Sequence, residues 1–257
     1  MLHYKIYSQQ HKEWVVLVHG AGGSSTIWYK QIRAYRKHFN VLVVDLRGHG
    51  ACGIENSPTK YTLELVSQDI LEVLNSLNIE KAHFVGISLG TMLIRHLAET
   101  NPERFHSMLL AGAVIRITPR LHFLLGVANL FKRFIPFMWL YKLFAWILMP
   151  KKTHETSRSL FVREAKKIKQ REFLRWLTLT RGIAKYLVKI NEKDTGIPAL
   201  YIMGNEDYVF LEPVKELVKN QPLSELVILE DSGHVCNVDQ AEQFNEISIQ
   251  FLANAVK

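Results

Sequence analysis

The sequence predicts an α/β protein: a doubly wound, mostly parallel sheet with a helical cap inserted after its fourth parallel strand. Three observations predict it. Short apolar runs ending on Gly, Asp or Ser recur along the chain, as buried parallel strands do. Patterns of helical period separate them, which gives the strand–helix alternation of an open parallel sheet. The alternation stops between Ile115 and Asp194, where only helical patterns occur.

The first long apolar run is Trp14–Val18 (WVVLV), which leads into His19-Gly20. Residues 26–35 read as a helix, and 41–44 (VLVV) as a strand ending at Asp45. In 63–77, apolar residues at 63, 66, 70, 73, 74 and 77 make one face of a helix. Ala82–Ile87 is a strand ending at Ser88, 89–99 a helix, and 108–111 the fourth strand, ending near Gly112. Beyond the interruption, 199–203 and 226–229 are strands, and 213–219 and 241–255 are helices. No internal repeat or low-complexity linker is present. In such a sheet ligands sit beyond the carboxyl ends of the strands, so the chemistry is sought there.

The chain has 257 residues, 48% hydrophobic and 22% charged, which suits a globular protein with a substantial core. The expected division is a core of residues 1–114 and 195–257, with 115–194 as the cap. The first part of the cap, 121–149, is strongly apolar, but Lys132, Arg133 and Lys142 interrupt it and Pro136 would kink it. Its longest charge-free stretch, 121–131, falls short of the roughly 18–20 residues that span a bilayer. The second part, 151–175, is basic. The net charge of +8 resides here: residues 116–193 hold 18 Lys/Arg against 4 Asp/Glu, and the remainder 14 against 20. A solvated helical surface accounts for this; an anionic substrate, an acidic partner or a membrane surface are the sharper readings. No nucleic-acid-binding motif accompanies the charge, so no nucleic acid is expected. The cap residues Phe131, Phe134, Phe137, Trp139, Phe144 and Trp146 line a pocket, pack the cap or make a dimer contact, and both monomer and homodimer remain open. Residues 1–13 are polar with no apolar signal region, so cytoplasmic residence is expected. Two cysteines, Cys52 and Cys236, exclude a disulfide scaffold and a Cys-only zinc site. Neither a metal nor an organic cofactor is expected.

Gly86-Ile87-Ser88-Leu89-Gly90 lies between a strand and a helix, the context of a G-x-S-x-G nucleophile elbow. The sharp turn forces the serine into a strained conformation and demands small residues around it. Ser88 Oγ is thereby raised above the sheet, and the Leu89 N–H points to the same spot from a helix N-terminus. A serine nucleophile needs a base. Of eleven histidines, His234, in Asp231-Ser232-Gly233-His234, follows the last strand at the correct edge. His83 lies inside a strand, His96 and His106 flank the elbow, and His122 and His154 fall in the cap. The base needs an acid. Asp194 precedes a strand and Asp231 shapes the histidine turn, whereas Asp207, in Gly204-Asn205-Glu206-Asp207, follows a strand at the correct edge. Glu206 is its rival. In His19-Gly20-Ala21-Gly22-Gly23, glycines permit close approach of backbone to ligand, and the Ala21 N–H is the second oxyanion donor beside that of Leu89. His19 and His49 read as structural, and Ser24, Ser25 and Thr26 as caps of the next helix.

These pieces together resemble the α/β-hydrolase fold superfamily over nearly the whole chain. The matching segments are VLVHGAGGSSTIW (17–28), VVDLRGHG (43–50), VGISLG (85–90), MGNEDYV (203–209) and DSGHVCNVDQAEQF (231–244). They are similar to small cap-bearing hydrolases, among them esterases, lactonases and carbon–carbon bond hydrolases. The resemblance implies Ser88 as nucleophile, His234 as base, Asp207 as acid, Ala21 and Leu89 as oxyanion donors, and no cofactor. Haloalkane dehalogenases and epoxide hydrolases of this fold carry Asp at the elbow, and Ser88 argues against both. Thr91 stands where many members have a second Gly, and position 92 lacks the Arg that helps the menaquinone-pathway lyase hold an anionic substrate. The expectation is a serine hydrolase acting on a small ester-like molecule with an apolar acyl or alcohol group. A lactonase, a carbon–carbon bond hydrolase or lyase, and a non-catalytic binding or signalling module are the alternatives.

Overall fold

The computed structural model describes residues 1–53, 60–118, 136–179, 183–191 and 193–255, together with positions 122, 126, 127 and 130. Its strands are β1 (His3–Tyr7), β2 (Trp14–Val18), β3 (Asn40–Asp45), β4 (Ala82–Ile87), β5 (Phe105–Ala111), β6 (Ala199–Gly204) and β7 (Ser224–Leu229). They form one sheet of order β1-β3-β2-β4-β5-β6-β7. From β3 across to β7 every pairing is parallel. The inner strands β3, β4 and β6 are buried along their whole length, which is why they read as unbroken apolar runs rather than as alternating patterns.

The sequence reading missed β1. It pairs antiparallel with β3, His3 facing Asp45 and Tyr7 facing Val41. A half-buried edge strand containing His3 and Lys5 offers no apolar run to find. Polar residues also hid the starts of β5 and β7.

The helices are α1 (Tyr29–Tyr35), α2 (Leu63–Ser76), α3 (Leu89–Thr100), α4 (Phe137–Leu148), α5 (Glu155–Ala165), α6 (Gln170–Leu179), α7 (Ile183–Asn191), α8 (Leu211–Val218), α9 (Cys236–Asp239) and α10 (Ala241–Asn254). The Thr62 hydroxyl caps α2 by accepting from the Leu65 N–H at 3.1 Å, and Leu63, Val66, Ile70, Val73 and Leu74 form its buried face. The helix expected over 26–35 is divided: a 3-10 turn over Ser25–Trp28 leads into α1. Ser24 caps that turn, its Oγ accepting from the Thr26 N–H at 3.3 Å. Helix α8 starts two residues earlier than expected and places Pro213 in its first turn, where a missing N–H breaks no intrahelical bond.

β5 and β6 are neighbours in the sheet, Met108 facing Ala199, although helices α4 to α7 separate them in sequence. Much of the first half of the apolar stretch expected at 121–149 lies outside the described residues, Phe131 and Phe134 included, as does the side chain of Phe137. Among the described residues no helix is long and apolar enough to cross a membrane.

The topology fixes where a site can form. The chain passes from β2 outward to β3, then returns to the far side of β2 as β4. The segments leaving β2 and β4 therefore diverge, and a crevice opens at their carboxyl ends. Those ends carry His19-Gly20-Ala21 and Ser88.

Candidate active site

Ser88 joins β4 to α3 with φ 54° and ψ −118°, a left-handed backbone that costs a residue with a side chain of order 1–3 kcal/mol. The surroundings hold it there. Its N–H donates to the Ala111 carbonyl at 3.1 Å, and its own carbonyl accepts from the Thr91 N–H at 2.9 Å. The Thr91 hydroxyl donates to the same carbonyl at 2.6 Å and accepts from the Val114 N–H at 3.2 Å. Thr91, a departure from the family pattern, thus ties the elbow to the segment after β5. At Gly90 an added Cβ would lie 2.3 Å from the Val18 carbonyl, so only glycine lets α3 start this close to β2.

The structure brings Ser88, His234 and Asp207 together. His234 Nε2 lies 3.0 Å from Ser88 Oγ, and its Nδ1 lies 2.7 Å from Asp207 Oδ2. Asp207 Oδ1 accepts from the Phe210 N–H at 3.1 Å, which fixes the carboxylate plane. Both side chains are buried, and the Phe210 ring lies against the imidazole at 5.1 Å between centroids. Asp231, at φ 51°, shapes the turn before His234. The rival carboxylate turns away: Glu206 faces Lys151, and its Oε2 lies 2.7 Å from His154 Nε2. Cys236 is sealed off as well, its thiol donating to the Ile202 carbonyl at 3.4 Å, and burial raises its pKa.

The loop after β2 is fixed by two neutral histidines. The Leu46 N–H donates to His19 Nε2 at 3.0 Å, so His19 Nδ1 carries the proton and donates to the Gly20 carbonyl at 2.7 Å. The Gly22 N–H donates to His49 Nε2 at 2.9 Å, so His49 Nδ1 donates to the Arg47 carbonyl at 2.9 Å. Burial lowers the pKa of both, that of His49 to about 3. The opposite end of the 21–22 peptide is gripped by a residue that the sequence reading missed: the Tyr141 hydroxyl of α4 donates to the Ala21 carbonyl at 2.7 Å. A tyrosine inside an apolar helical run carries no signal of such a role. The close approach demands glycine next to it, since a Cβ at Gly22 would overlap the Tyr141 ring at 1.8 Å from its oxygen. With both ends of that peptide held, the neighbouring Ala21 N–H is held too. The Leu89 N–H belongs to the first turn of α3, where backbone donors have no intrahelical acceptor.

The motif at 43–50 is scaffolding for this loop. Asp45 accepts from the Ser25 N–H at 2.7 Å and the Ala51 N–H at 3.0 Å, joining the segments after β2 and β3. Burial opposes its ionisation, but these backbone donors outweigh burial and its pKa is lowered. Arg47 pairs with Asp69 of α2.

A cavity of about 230 Å³ opens in front of Ser88. Ala21, Ser88, Leu89 and Met92 form its floor, and Leu140, Tyr141, Phe144 and Ile147 of α4 one wall. Ile168, Phe173, Trp176 and Leu177 form another. Among the described residues no Lys, Arg, Asp or Glu lines it. The expected aromatic residues diverge: Phe144 faces the cavity, whereas Trp139 and Trp146 are exposed. Among the described residues no group of three or more His, Cys, Asp or Glu is arranged to hold a metal ion.

A family model described as the α/β-hydrolase fold matches residues 13–241. The chain is 28% identical over 269 residues, 99% of each sequence, to an Agrobacterium fabrum protein provisionally named carbamate hydrolase RutD. It is 36% identical over 104 residues, 40% of this chain and 38% of the relative, to 3-oxoadipate enol-lactonase 1 of Acinetobacter baylyi. Two solved structures share the fold. The enol-lactonase from Burkholderia xenovorans LB400 has a TM-score of 0.78 at 24% identity, covering 98% of this chain and 96% of its own. MenH from S. aureus has a TM-score of 0.82 at 15% identity, covering 100% of both. Sheet order, the strained turn at Ser88 and the match over residues 13–241 agree: this chain belongs to the α/β-hydrolase fold family.

Proposed function

We propose that this protein is a serine hydrolase that cleaves carboxylic esters of small to medium apolar molecules through an acyl-enzyme. One observation carries the reading: the hydrogen-bonded series Ser88–His234–Asp207 opens onto a cavity whose described lining holds no charged side chain. Ser88 Oγ attacks the ester carbonyl while His234 Nε2 takes its proton. Asp207 holds Nδ1–H and stabilises the imidazolium. The oxyanion is received by the N–H groups of Ala21 and Leu89. His234 then gives the proton to the departing alcohol. In the second half it takes a proton from water, which attacks the acyl-enzyme, and returns that proton to Ser88 Oγ as the acid leaves.

Residues 115–194 act as a cap in this scheme, over a core made of 1–114 and 195–257. The cap supplies most of the cavity walls and so sets acyl length. Its basic surface does not extend to the described lining, and Met92 occupies the floor where an anion-holding arginine would stand. Both features favour a neutral substrate over an anionic one. A lactone is a cyclic ester, and the relative named as an enol-lactonase supports a lactone as the second reading. The relative named for carbamate hydrolysis adds carbamate esters to the substrates to try.

The test is hydrolysis of p-nitrophenyl esters from acetate to palmitate, beside neutral lactones and an aryl carbamate, by wild type and Ser88→Ala. Turnover of medium-chain esters that is lost in the variant is expected. Turnover retained in Ser88→Ala removes the mechanism, and no turnover of any of these compounds favours a binding module.

A further inference from the structure

Helix α4 has three faces. Tyr141, Ala145 and Leu148 are buried against the rest of the protein, and Leu140, Phe144 and Ile147 line the cavity. The third face carries Trp139, Leu143 and Trp146, spaced as one stripe along a helix and 72%, 56% and 61% exposed. Lys142 is exposed on the same stripe. Two tryptophans and a leucine side by side in water make an apolar patch of a kind that marks an interaction site. Leu143 belongs both to this patch and to the cavity lining, so patch and cavity mouth are continuous. The turn between α5 and α6 carries charge next to another lining residue. Ile168 lines the cavity, while Lys166, Lys167, Lys169 and Arg171 around it are exposed.

Tryptophan and leucine bordered by lysine is the composition of helices that lie in a lipid interface, with the rings at headgroup depth and the cations on the phosphates. We propose that the outer face of α4 docks this protein on an anionic lipid surface, with the cavity mouth turned toward the bilayer. The net charge of the 116–193 segment complements such a surface. On the ester-hydrolase reading above, the substrate is then an apolar ester dissolved in the membrane, which reaches Ser88 past Leu143 without crossing water. Docking itself does not depend on that reading.

The experiment is co-sedimentation of the full chain with vesicles of phosphatidylcholine alone, and of phosphatidylcholine containing phosphatidylglycerol, at low and high salt. Wild type is expected to bind the phosphatidylglycerol vesicles at low salt, more weakly at high salt and least to phosphatidylcholine alone, with a blue-shifted tryptophan emission on binding. Trp139→Ala and Trp146→Ala should each weaken binding about tenfold, since each removes a large apolar side chain that docking would bury in lipid. Both variants should hydrolyse a water-soluble short-chain ester like wild type, because neither residue lines the cavity. Ser88→Ala should bind vesicles like wild type even where it hydrolyses nothing, which separates docking from catalysis. No binding to phosphatidylglycerol vesicles at low salt overturns the proposal, as does binding that both tryptophan variants retain. Sedimentation velocity supplies the other contrary result: a wild-type dimer that Trp139→Ala converts to monomer would assign the face to a second copy of the chain.

Discussion

The sheet and the helical segment between β5 and β6 divide the work at this site. The sheet side supplies polar atoms held by backbone: Ser88 by its strained turn, Asp207 by the Phe210 N–H, and the Ala21 loop by His19 and His49. The helical side supplies apolar walls from Leu140, Phe144, Ile147, Ile168 and Phe173. The two regions are also charged differently, and the exceptions join them. Of the four carboxylates in the basic segment, Glu164 and Glu172 are buried, and both reach the sheet side. Ser24 Oγ donates to Glu164 at 2.8 Å, and the Tyr61 hydroxyl donates to Glu172. Burial opposes ionisation of Glu164, yet Lys167 and Ser24 outweigh it and lower its pKa. The lesson is that a basic segment need not place a cation in the cavity beneath it. Among the described residues its cations stay off the cavity lining, while two of its acids make the joint.

If this division holds, variants on the sheet side change the rate on every ester, and variants on the helical side change which ester is preferred. The largest effect is expected from Ser88→Ala, a loss of about 10⁴-fold or more in kcat on all chain lengths. Asp207→Asn should lose about 10³- to 10⁴-fold, because an amide favours the wrong imidazole tautomer. Glu206→Gln should stay within about threefold of wild type, since its carboxylate faces Lys151 and His154 instead. Equal losses in these two variants would undo the assignment of the acid.

Tyr141→Phe crosses the boundary and tests whether the helical side touches catalysis. Removing its bond to the Ala21 carbonyl should lower kcat about tenfold with KM little changed. A change confined to KM would mean that Tyr141 only contacts substrate. Phe144→Ala enlarges the cavity, so the preferred acyl chain should lengthen while acetate hydrolysis changes by less than about threefold. A uniform loss across all chain lengths would contradict the division.

The last prediction concerns stability rather than rate. Burial in β4, aided by His106 and Lys81, lowers the His83 pKa from 6.5 to about 3. Between those values the unfolded chain binds a proton that the folded chain refuses, so stability falls as pH falls through that window. His83→Gln should flatten the dependence by up to about 1.4 kcal/mol per pH unit, as measured by urea unfolding at several pH values. An unchanged slope would mean that His83 titrates normally.

The parallel strands and the positions of Ser88, Asp207 and His234 were legible because burial on both faces writes apolar runs, and the carboxyl edge of the sheet then selects polar residues at their ends. The edge strand β1 was not legible, since one solvated face and a single neighbour leave no run. Tyr141 was hidden for another reason. Its bond to Ala21 spans 120 residues and depends on how α4 settles over the sheet, which periodicity does not encode. The opposite fates of Phe144 and Trp146, one in the cavity and one in water, depend on the rotation of α4 in the same way.

The central claim is that Ser88 is the activated nucleophile. A fluorophosphonate probe, followed by peptide mass mapping, tests it most directly. The account predicts one label per chain, on Ser88, with labelling slowed strongly in His234→Ala. Absence of label on folded protein, or label on another residue, would contradict it.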